Sequence, residues 1–235
     1  MSGRLEILAV EGIGEISPGD VLADVIMAAA GDLVRSGDVL VVTQKIVSKA
    51  EGRLVEVDAA DPLSHKRLVE AESVRIVRRR GDLIISETAH GFVCANAGVD
   101  LSNVERGWAA LLPVDADRSA RRIRDGIRAR AGVEVGVIVS DTFGRPWRDG
   151  LTDVAIGCAG IAAVVDLRGS EDSLGRELHV TKVAVADEIA SAAELVMGKA
   201  SGVPVAIVRG VDPEWLREGS VHDEIVRNPA DDLFR

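Results

Sequence analysis

The chain has 235 residues, 47% of them hydrophobic, which is enough to bury a substantial core. Its formal net charge of −10 disfavours nucleic acids and anionic membranes as binding partners. Because no apolar run approaches the roughly 20 residues of a membrane span, and the N-terminus lacks the pattern of a secretory signal, we expect a globular protein in the cytoplasm.

Hydrophobic periodicity predicts the elements of the first part of the chain. The apolar run from Leu5 to Val10 is typical of a strand, and apolar residues at helical spacing predict a helix over 21–34, after the turn at Pro18-Gly19-Asp20. A second apolar run, 39–43, predicts a buried strand. The polar cluster that begins at Gln44 therefore lies at a strand end, where binding sites are often found.

The middle of the chain predicts a helix and a hairpin. The polar stretch 58–72 is predicted to be helical. Two short strands are predicted over 74–77 and 83–86, joined by the basic turn 78–82. Strands joined so closely indicate an antiparallel component of the fold.

Two more helices and two more strands follow. Asp115 supplies an N-cap for a helix that Gly132 ends. A buried strand is predicted over 133–140, again followed by a polar cluster. A helix over 183–197 and a strand over 204–208 complete the pattern. No repeat or long linker divides the chain.

Cysteine and histidine spacing gives no sign of a zinc site. Cys94 and Cys158 lie among small and apolar residues without CxxC spacing, so we predict two buried, free thiols. Among the histidines, only His90 lies near a candidate site segment.

A basic cluster follows the predicted strand 39–43. It comprises Lys45, Ser48, Lys49 and Arg53. In an acidic protein such a cluster can bind phosphate groups, although an amphipathic surface with extended lysines would give the same pattern. The apolar strand before the cluster favours the phosphate clamp.

Two acidic segments carry oxygen ligands suited to a hard divalent cation. Asp100 and Asn103 follow Gly98, and Asp141 with Thr142 follows the predicted strand 133–140. Either segment could instead be a capped turn, since these side chains readily bond nearby backbone amides. Neither a GxxxxGK[ST] phosphate loop nor a GxGxxG dinucleotide motif occurs in the chain, which excludes those two nucleotide-binding signatures.

Several longer motifs together resemble the family of coenzyme F420:L-glutamate ligases, also called F420-0:gamma-glutamyl ligases. They are the PGD turn at 18–20, VVTQKIVSKAEGR at 41–53, HGFV at 90–93, GVDLSNV at 98–104, SDTFGRPWRDGLTDVAIG at 140–157 and VMGKASGVPVAIVRG at 196–210. The resemblance covers nearly the whole chain. It implies an α+β fold of two interlaced lobes, with residues 1–235 forming one ligase domain, and a homodimer.

The resemblance also implies GTP as co-substrate and a divalent metal, Mn²⁺ or Mg²⁺. Asp100 and Asp141 are expected to hold one metal ion, with Thr142 on a second. Nucleotide contacts are expected from Gln44, Lys49 and Asn103. Further nucleotide contacts are expected from two loop segments, Ile13, Gly14, Glu15 and Ile16 in the first and Met197, Gly198, Lys199, Ala200, Ser201, Gly202, Val203 and Pro204 in the second.

Three positions depart from the family pattern. Gly14 stands where proline is expected, and Gln44 where serine is common. Lys199 occupies a position where relatives can carry glutamine or an acidic residue that touches the second metal. Because an ammonium group has no lone pair to offer a metal, we predict that Lys199 contacts phosphate.

The resulting hypothesis is a ligase that joins L-glutamate to the coenzyme F420 precursor, F420-0. The precursor's carboxylate is phosphorylated by GTP, and the amine of glutamate then displaces phosphate. Such chemistry needs the protein mainly to position the substrates and to neutralise charge. The candidate site residues, which are aspartates and lysines rather than a nucleophile triad, agree with that requirement. Two alternatives stay open: a metal-dependent phosphohydrolase that uses the same aspartates, and a non-catalytic module that binds deazaflavin or nucleotide.

Overall fold

A computed structural model describes residues 3–232 of the chain. The fold is α+β, as predicted, with six α-helices among the described residues. The strands are β1 (Glu6–Ala9), β2 (Val39–Thr43), β3 (Leu54–Glu56), β4 (Ser73–Arg80), β5 (Leu83–Thr88), β6 (Val93–Ala95), β7 (Trp108–Ala110), β8 (Gly136–Arg145), β9 (Arg148–Ala159), β10 (Val165–Asp166), β11 (Lys182–Val183) and β12 (Val205–Arg209). The helices are α1 (Leu22–Ala30), α2 (Gln44–Ala50), α3 (Lys66–Ala71), α4 (Ala116–Ala131), α5 (Val185–Met197) and α6 (Val221–Glu224).

The central element is a five-stranded sheet in the order β1-β12-β2-β8-β9. Strands β2 and β8 run parallel, and the other neighbouring pairs are antiparallel. Thr43, the last residue of β2, pairs with Ser140. The start of α2 and the continuation of β8 therefore lie side by side at one edge of the sheet.

Both faces of this sheet are covered. Along β2, Leu40 and Val42 belong to one core cluster, whereas Val39 and Val41 belong to another, as the alternation of side chains along a strand requires. Helices α1 and α4 pack on the first face, and α5 packs on the second. The four strand residues are fully buried. A buried β2 explains why its sequence is continuously apolar rather than alternating.

A third core cluster forms between residues 55 and 111. It joins α3 to the small sheets β3-β7 and β4-β5-β6, and Val69 and Ile84 are among its buried residues. The chain leaves the central sheet after α2 to build this cluster and returns to the sheet through α4 and β8. This crossing agrees with the interlaced arrangement expected from the resemblance.

Local signals at both ends of α4 are confirmed. Asp115 accepts a hydrogen bond from the amide of Arg118, 2.8 Å away, as an N-cap does. Gly132 has a φ of 68°, the left-handed conformation that ends many helices. Gly157 allows α4 to begin directly against β9, because a Cβ there would lie 2.2 Å from the carbonyl carbon of Ala116.

The predicted helix over 58–72 is wrong in its first half. Only α3, at Lys66–Ala71, is helical. Before it, Asp58 and Asp61 each accept a hydrogen bond from the backbone amide two residues ahead, at 2.8 and 2.9 Å. Such local bonds compete with helix formation and produce turns.

The two predicted strands beside the basic segment are longer than expected. The arginines at 78–80 are part of β4, and the turn contains only Gly81 and Asp82, with Gly81 at a φ of 58°.

The strand predicted over 133–140 begins later and extends farther than expected, from Gly136 to Arg145. Asp141 and Thr142 therefore lie inside the long β8–β9 hairpin rather than in a loop after a strand.

Cys94 and Cys158 are buried and free, as predicted. Within residues 3–232, no helix is long and apolar enough to cross a membrane.

Candidate active site

A cavity of about 690 Å³ opens at the sheet edge where β2 ends beside β8. Most residues predicted to contact nucleotide or metal line it. They are Ile13, Gly14, Glu15, Ile16, Gln44, Lys49, Asn103, Asp141, Thr142, Gly198, Lys199, Ala200, Gly202, Val203 and Pro204. Segments far apart in the sequence thus meet around one space.

Three predicted residues do not line the cavity directly. Met197 is buried in the core behind it. Ser201 donates its hydroxyl to the carbonyls of Met197 and Gly198, which ties the following loop to the end of α5. Asp100 reaches the cavity through an ion pair with Lys45, which does line it.

Two loops with unusual backbone geometry border the cavity. Gly198 and Gly202 have φ values of 58° and 70°, so the 198–204 loop uses conformations that favour glycine. Asn103 is also left-handed, at a φ of 56°. Its side-chain amide donates to the carbonyl of Lys199 at 3.4 Å, which links the two loops across 96 residues of sequence.

The basic cluster after β2 divides into two functional groups. Lys45 and Lys49 line the cavity, and Lys49 forms an ion pair with Glu15. Ser48 instead donates to the carbonyl of Leu111 at 2.7 Å, inside the protein. Arg53 binds Glu72 at 3.0 Å and does not line the cavity. The predicted four-residue phosphate clamp is therefore wrong for Ser48 and Arg53, which join α2 to the neighbouring elements.

Gln44 has an unsatisfied polar atom. Its side chain is 1% exposed, and its Oε1 lies 2.8 Å from Ser48 Oγ, whose single proton is shared between this oxygen and the carbonyl of Leu111. Its Nε2 has no hydrogen-bond partner within the described part of the chain. Buried polar groups are almost always paired, so an unpaired amide in a residue that lines the cavity points to a ligand contact.

Asp100 combines a turn with an ion pair. Its Oδ1 accepts from the amide of Ser102 at 2.7 Å, and its Oδ2 lies 2.7 Å from Lys45 Nζ. Burial raises the pKa of this carboxyl, but the hydrogen bond and charge of Lys45 together with the hydrogen bonds from Ser102 outweigh burial, so the pKa is lowered overall. The two readings of this residue, a turn and a site carboxylate, therefore do not exclude one another.

Asp141 lies in an environment that disfavours its negative charge. Burial raises its pKa to about 7. The amide of Thr142 and the charge of Lys45 lower the pKa, whereas the negative charges of Asp100 and Asp153 raise it. A bound cation would relieve this repulsion.

The oxygen donors fit a hard divalent cation. Two carboxylates and a hydroxyl come from Asp100, Asp141 and Thr142, which is the ligand type that Mg²⁺ and Mn²⁺ prefer. Within residues 3–232 no group of three or more His, Cys, Asp or Glu side chains is arranged to hold a metal. The protein donors would thus be completed by water and by phosphate oxygens, as is usual for Mg²⁺.

Comparison with known proteins identifies the family. The model of the family described as F420-0:Gamma-glutamyl ligase matches residues 12–210. The chain belongs to the F420-0:gamma-glutamyl ligase family. The coenzyme F420:L-glutamate ligase of Methanopyrus kandleri is 45% identical over 253 aligned positions, which cover 99% of this chain and 100% of that protein. The protein of the same name from Methanothermobacter thermautotrophicus is 42% identical, covering 98% of this chain and 99% of that protein.

Sequence reasoning missed three acidic residues that line this family member's cavity, Glu105, Asp153 and Glu194. Asp153 lies on β9, is 3% exposed, and accepts hydrogen bonds from Ser140 and Thr142. Glu194 on α5 also lines the cavity, and burial raises its pKa. A signal for Asp153 was present, because this charged residue directly precedes the apolar stretch 154–159. Glu194 lies in the predicted helix over 183–197, whose periodicity does not distinguish a cavity-lining carboxylate from one that faces solvent.

His90 lies away from the cavity lining. Its Nε2 lies 2.9 Å from the carbonyl of Pro113, and its ring stacks on Phe92 with centroids 5.8 Å apart. The family motif HGFV at 90–93 therefore contributes packing beside the site in this family member.

Proposed function

We propose that this F420-0:gamma-glutamyl ligase family member joins L-glutamate to F420-0 through an amide bond, with GTP as co-substrate and Mn²⁺ or Mg²⁺ as cofactor. Ligase activity in F420 biosynthesis is the activity of the family to which the chain belongs. One observation supports the GTP and metal parts of the proposal: Asp141 and Thr142 line the same cavity as the glycine-containing loop 198–204, and Asp100 reaches it through its ion pair with Lys45.

The proposed reaction has two steps, because an amine does not displace oxygen from a free carboxylate. First, a carboxylate oxygen of F420-0 attacks the γ-phosphorus of GTP, the bond to the bridging oxygen breaks, and GDP leaves. The resulting acyl phosphate carries a good leaving group. The amine of glutamate, after losing a proton, then attacks the acyl carbon. Inorganic phosphate departs with the electron pair of the broken C–O bond, and the nitrogen releases a second proton to give the neutral amide.

The protein's part in this reaction is positioning and charge neutralisation. Lys49 and Lys199 line the cavity and are proposed to contact phosphate oxygens. Backbone amides of the loops 13–16 and 198–204 provide donors without side-chain charge. When bound, the divalent cation neutralises phosphate charge beside Asp100 and Asp141.

The size of the cavity agrees with a site for a small-molecule substrate. Its volume of about 690 Å³ falls within the range typical of small-molecule sites.

We also propose that the chain acts as a homodimer in the cytoplasm. Light scattering at micromolar concentration tests the dimer. A monomer at that concentration would contradict the dimer and leave the ligase proposal intact.

Mass spectrometry of the reaction mixture tests the proposed function. The chain is incubated with F420-0, L-glutamate, GTP and Mn²⁺, and the product should carry one or more added glutamyl groups. GDP and phosphate should be released in a ratio of one each per amide bond. Replacing GTP with ATP tests the proposed nucleotide, and replacing Mn²⁺ with a chelator tests the proposed metal dependence.

The same experiment distinguishes the two alternatives. Phosphate release that is independent of F420-0 and glutamate would favour a phosphohydrolase. Binding of F420-0 and nucleotide without turnover under every metal tested would favour a non-catalytic module. Neither alternative accounts for the whole-length similarity to the named ligases.

A further inference from the structure

A buried carboxylate holds two hydroxyl groups next to Asp141. Asp153 on β9 pairs with Thr142 on β8 and is 3% exposed. Its Oδ1 accepts from Thr142 Oγ1 at 2.7 Å, and its Oδ2 accepts from Ser140 Oγ at 3.0 Å. Its backbone carbonyl accepts from Ser191 Oγ at 2.7 Å, which ties this position to α5. The carboxylate is therefore held by two hydroxyls of β8, and the backbone of the same residue is tied to α5.

Counting protons shows what Thr142 can offer to a ligand. A hydroxyl group has one proton and two lone pairs. The proton of Thr142 is donated to Asp153, so only lone pairs remain for the cavity that Thr142 lines. In this arrangement Thr142 can coordinate a cation or accept a hydrogen bond. It cannot donate one to a phosphate oxygen.

We infer that Asp153 is a positioning residue, which accepts the hydrogen bond of the Thr142 hydroxyl and so leaves the threonine oxygen free to act only as an acceptor or ligand toward a divalent cation. The inference rests on the metal dependence in the proposed function and adds a residue that the motif-based ligand set leaves out. Hydrogen bonds from groups behind the direct ligands orient those ligands, and losing one typically weakens metal binding about 10–100-fold.

A carboxylate suits this role better than an amide does. Both oxygens of Asp153 accept, so both neighbouring hydroxyls donate. Asparagine would present one NH₂ group, which is a donor only. At least one hydroxyl would then have to reverse and accept. Burying a charge is costly, and a fold that needed only packing here would be served by an uncharged side chain.

A double-mutant cycle tests whether Asp153 acts through Thr142. The variants are Asp153→Asn, Thr142→Val and the double variant. Each is measured with Mn²⁺ alone, in the absence of GTP, F420-0 and glutamate. Mn²⁺ affinity is measured by the electron paramagnetic resonance signal of free Mn²⁺, and melting temperature is measured with and without Mn²⁺. Each single variant should bind Mn²⁺ about 10–100-fold more weakly. The double variant should be no weaker than Thr142→Val alone.

Two control variants separate positioning from folding. Thr142→Ser keeps the hydroxyl and should bind Mn²⁺ nearly as the unaltered chain does. Asp187→Asn is a matched change at a half-buried aspartate that does not line the cavity and accepts one backbone amide, that of Ala155 at 2.9 Å. It should leave Mn²⁺ affinity unchanged.

The inference is overturned if Asp153→Asn binds Mn²⁺ as tightly as the unaltered chain, or if the losses of the two single variants add. If Asp153→Asn does not fold, the two Thr142 variants provide the test. Equal Mn²⁺ affinities of Thr142→Val and Thr142→Ser would also overturn the inference. If the unaltered chain does not bind Mn²⁺, the metal assignment fails and the inference fails with it. A failure confined to the Asp153 variant leaves the proposed function standing.

Discussion

Lys45 Nζ lies 2.7 Å from Asp100 Oδ2, so an ammonium group occupies the immediate neighbourhood of a proposed metal ligand. The side chains are 15% and 27% exposed, respectively, which limits screening of the pair by water. Lys45 also lowers the pKa of Asp141. In the metal-free site this one lysine therefore offsets the repulsion between two carboxylates.

Lys45→Gln should destabilise the metal-free protein and strengthen its response to metal. Removing the ammonium leaves Asp100 and Asp141 without their compensating charge, at a cost of about 1–2 kcal/mol for a partly exposed pair. For a chain of this size that corresponds to roughly 2–8 °C in melting temperature. The temperature gained on adding Mn²⁺ should increase, because a competing cation is gone. A Mn²⁺ response equal to that of the unaltered chain would show that Lys45 and metal do not share the site.

Lys49→Ala should weaken GTP binding, and Glu15→Gln should strengthen it. Lys49 is paired with Glu15, whose carboxylate occupies the position next to the ammonium that a phosphate oxygen would take. Loss of one charge-assisted hydrogen bond corresponds to about 1.5–3 kcal/mol, or roughly a tenfold to hundredfold change in affinity. Isothermal titration with a non-hydrolysable GTP analogue measures both variants. If both variants change GTP affinity in the same direction, Glu15 and the phosphate of GTP do not compete for Lys49.

Gln44→Leu should stabilise the metal-free, nucleotide-free protein while weakening nucleotide binding. The buried Nε2 of Gln44 lacks a partner among residues 3–232, and an unpaired buried amide costs about 1–3 kcal/mol. Leucine removes that cost with a similar volume. If the amide were instead bonded to an ordered water in the free protein, leucine would lower the melting temperature. Thermal melts with and without GTP distinguish these outcomes.

The predictable parts of the fold are those that local patterns determine. β2 is continuously apolar because both faces are buried, and α4 carries its own N-cap and C-terminal glycine. Strand β9 was not predicted, since its first half is exposed and polar and becomes a strand only by pairing with β8. The helix over 58–72 was overestimated because two aspartates bond their own backbone instead.

The site was predictable in its parts and unpredictable in its connections. The motifs named Asp100, Asp141 and Lys49, and the family resemblance grouped them. Lys45 was read as a phosphate contact, yet it pairs with Asp100 across 55 residues of sequence. Such partnerships depend on which chain segments meet, and no periodicity within a segment carries that information. Metal and GTP binding at these residues stay predictions.

Asp141→Asn should have a pH-dependent effect on the metal-free protein. Burial raises the pKa of Asp141 to about 7 in the folded state, against about 3.9 in an unfolded chain. A raised carboxyl pKa means that the folded state binds this proton more tightly, so its contribution to stability is complete below about pH 4. That contribution is lost as pH rises toward 7. Asparagine, which has no charge to bury, should therefore melt higher than the unaltered chain by an amount that grows from pH 5 to pH 8.

The same variant should lose its response to metal. If Asp141 were only part of the β8–β9 hairpin, asparagine would preserve both the fold and turnover. If it holds the cation, the rise in melting temperature on adding Mn²⁺ should shrink, and turnover should fall by about a hundredfold or more as charge at the transferring phosphoryl group goes uncompensated. Melting curves in chelator and in Mn²⁺ at pH 5 and pH 8, combined with product mass spectrometry, give all three quantities. Near-normal turnover at limiting Mn²⁺ would show that Asp141 is not a metal ligand. A pH-independent difference in melting temperature would show that burial of the Asp141 charge does not destabilise the folded protein.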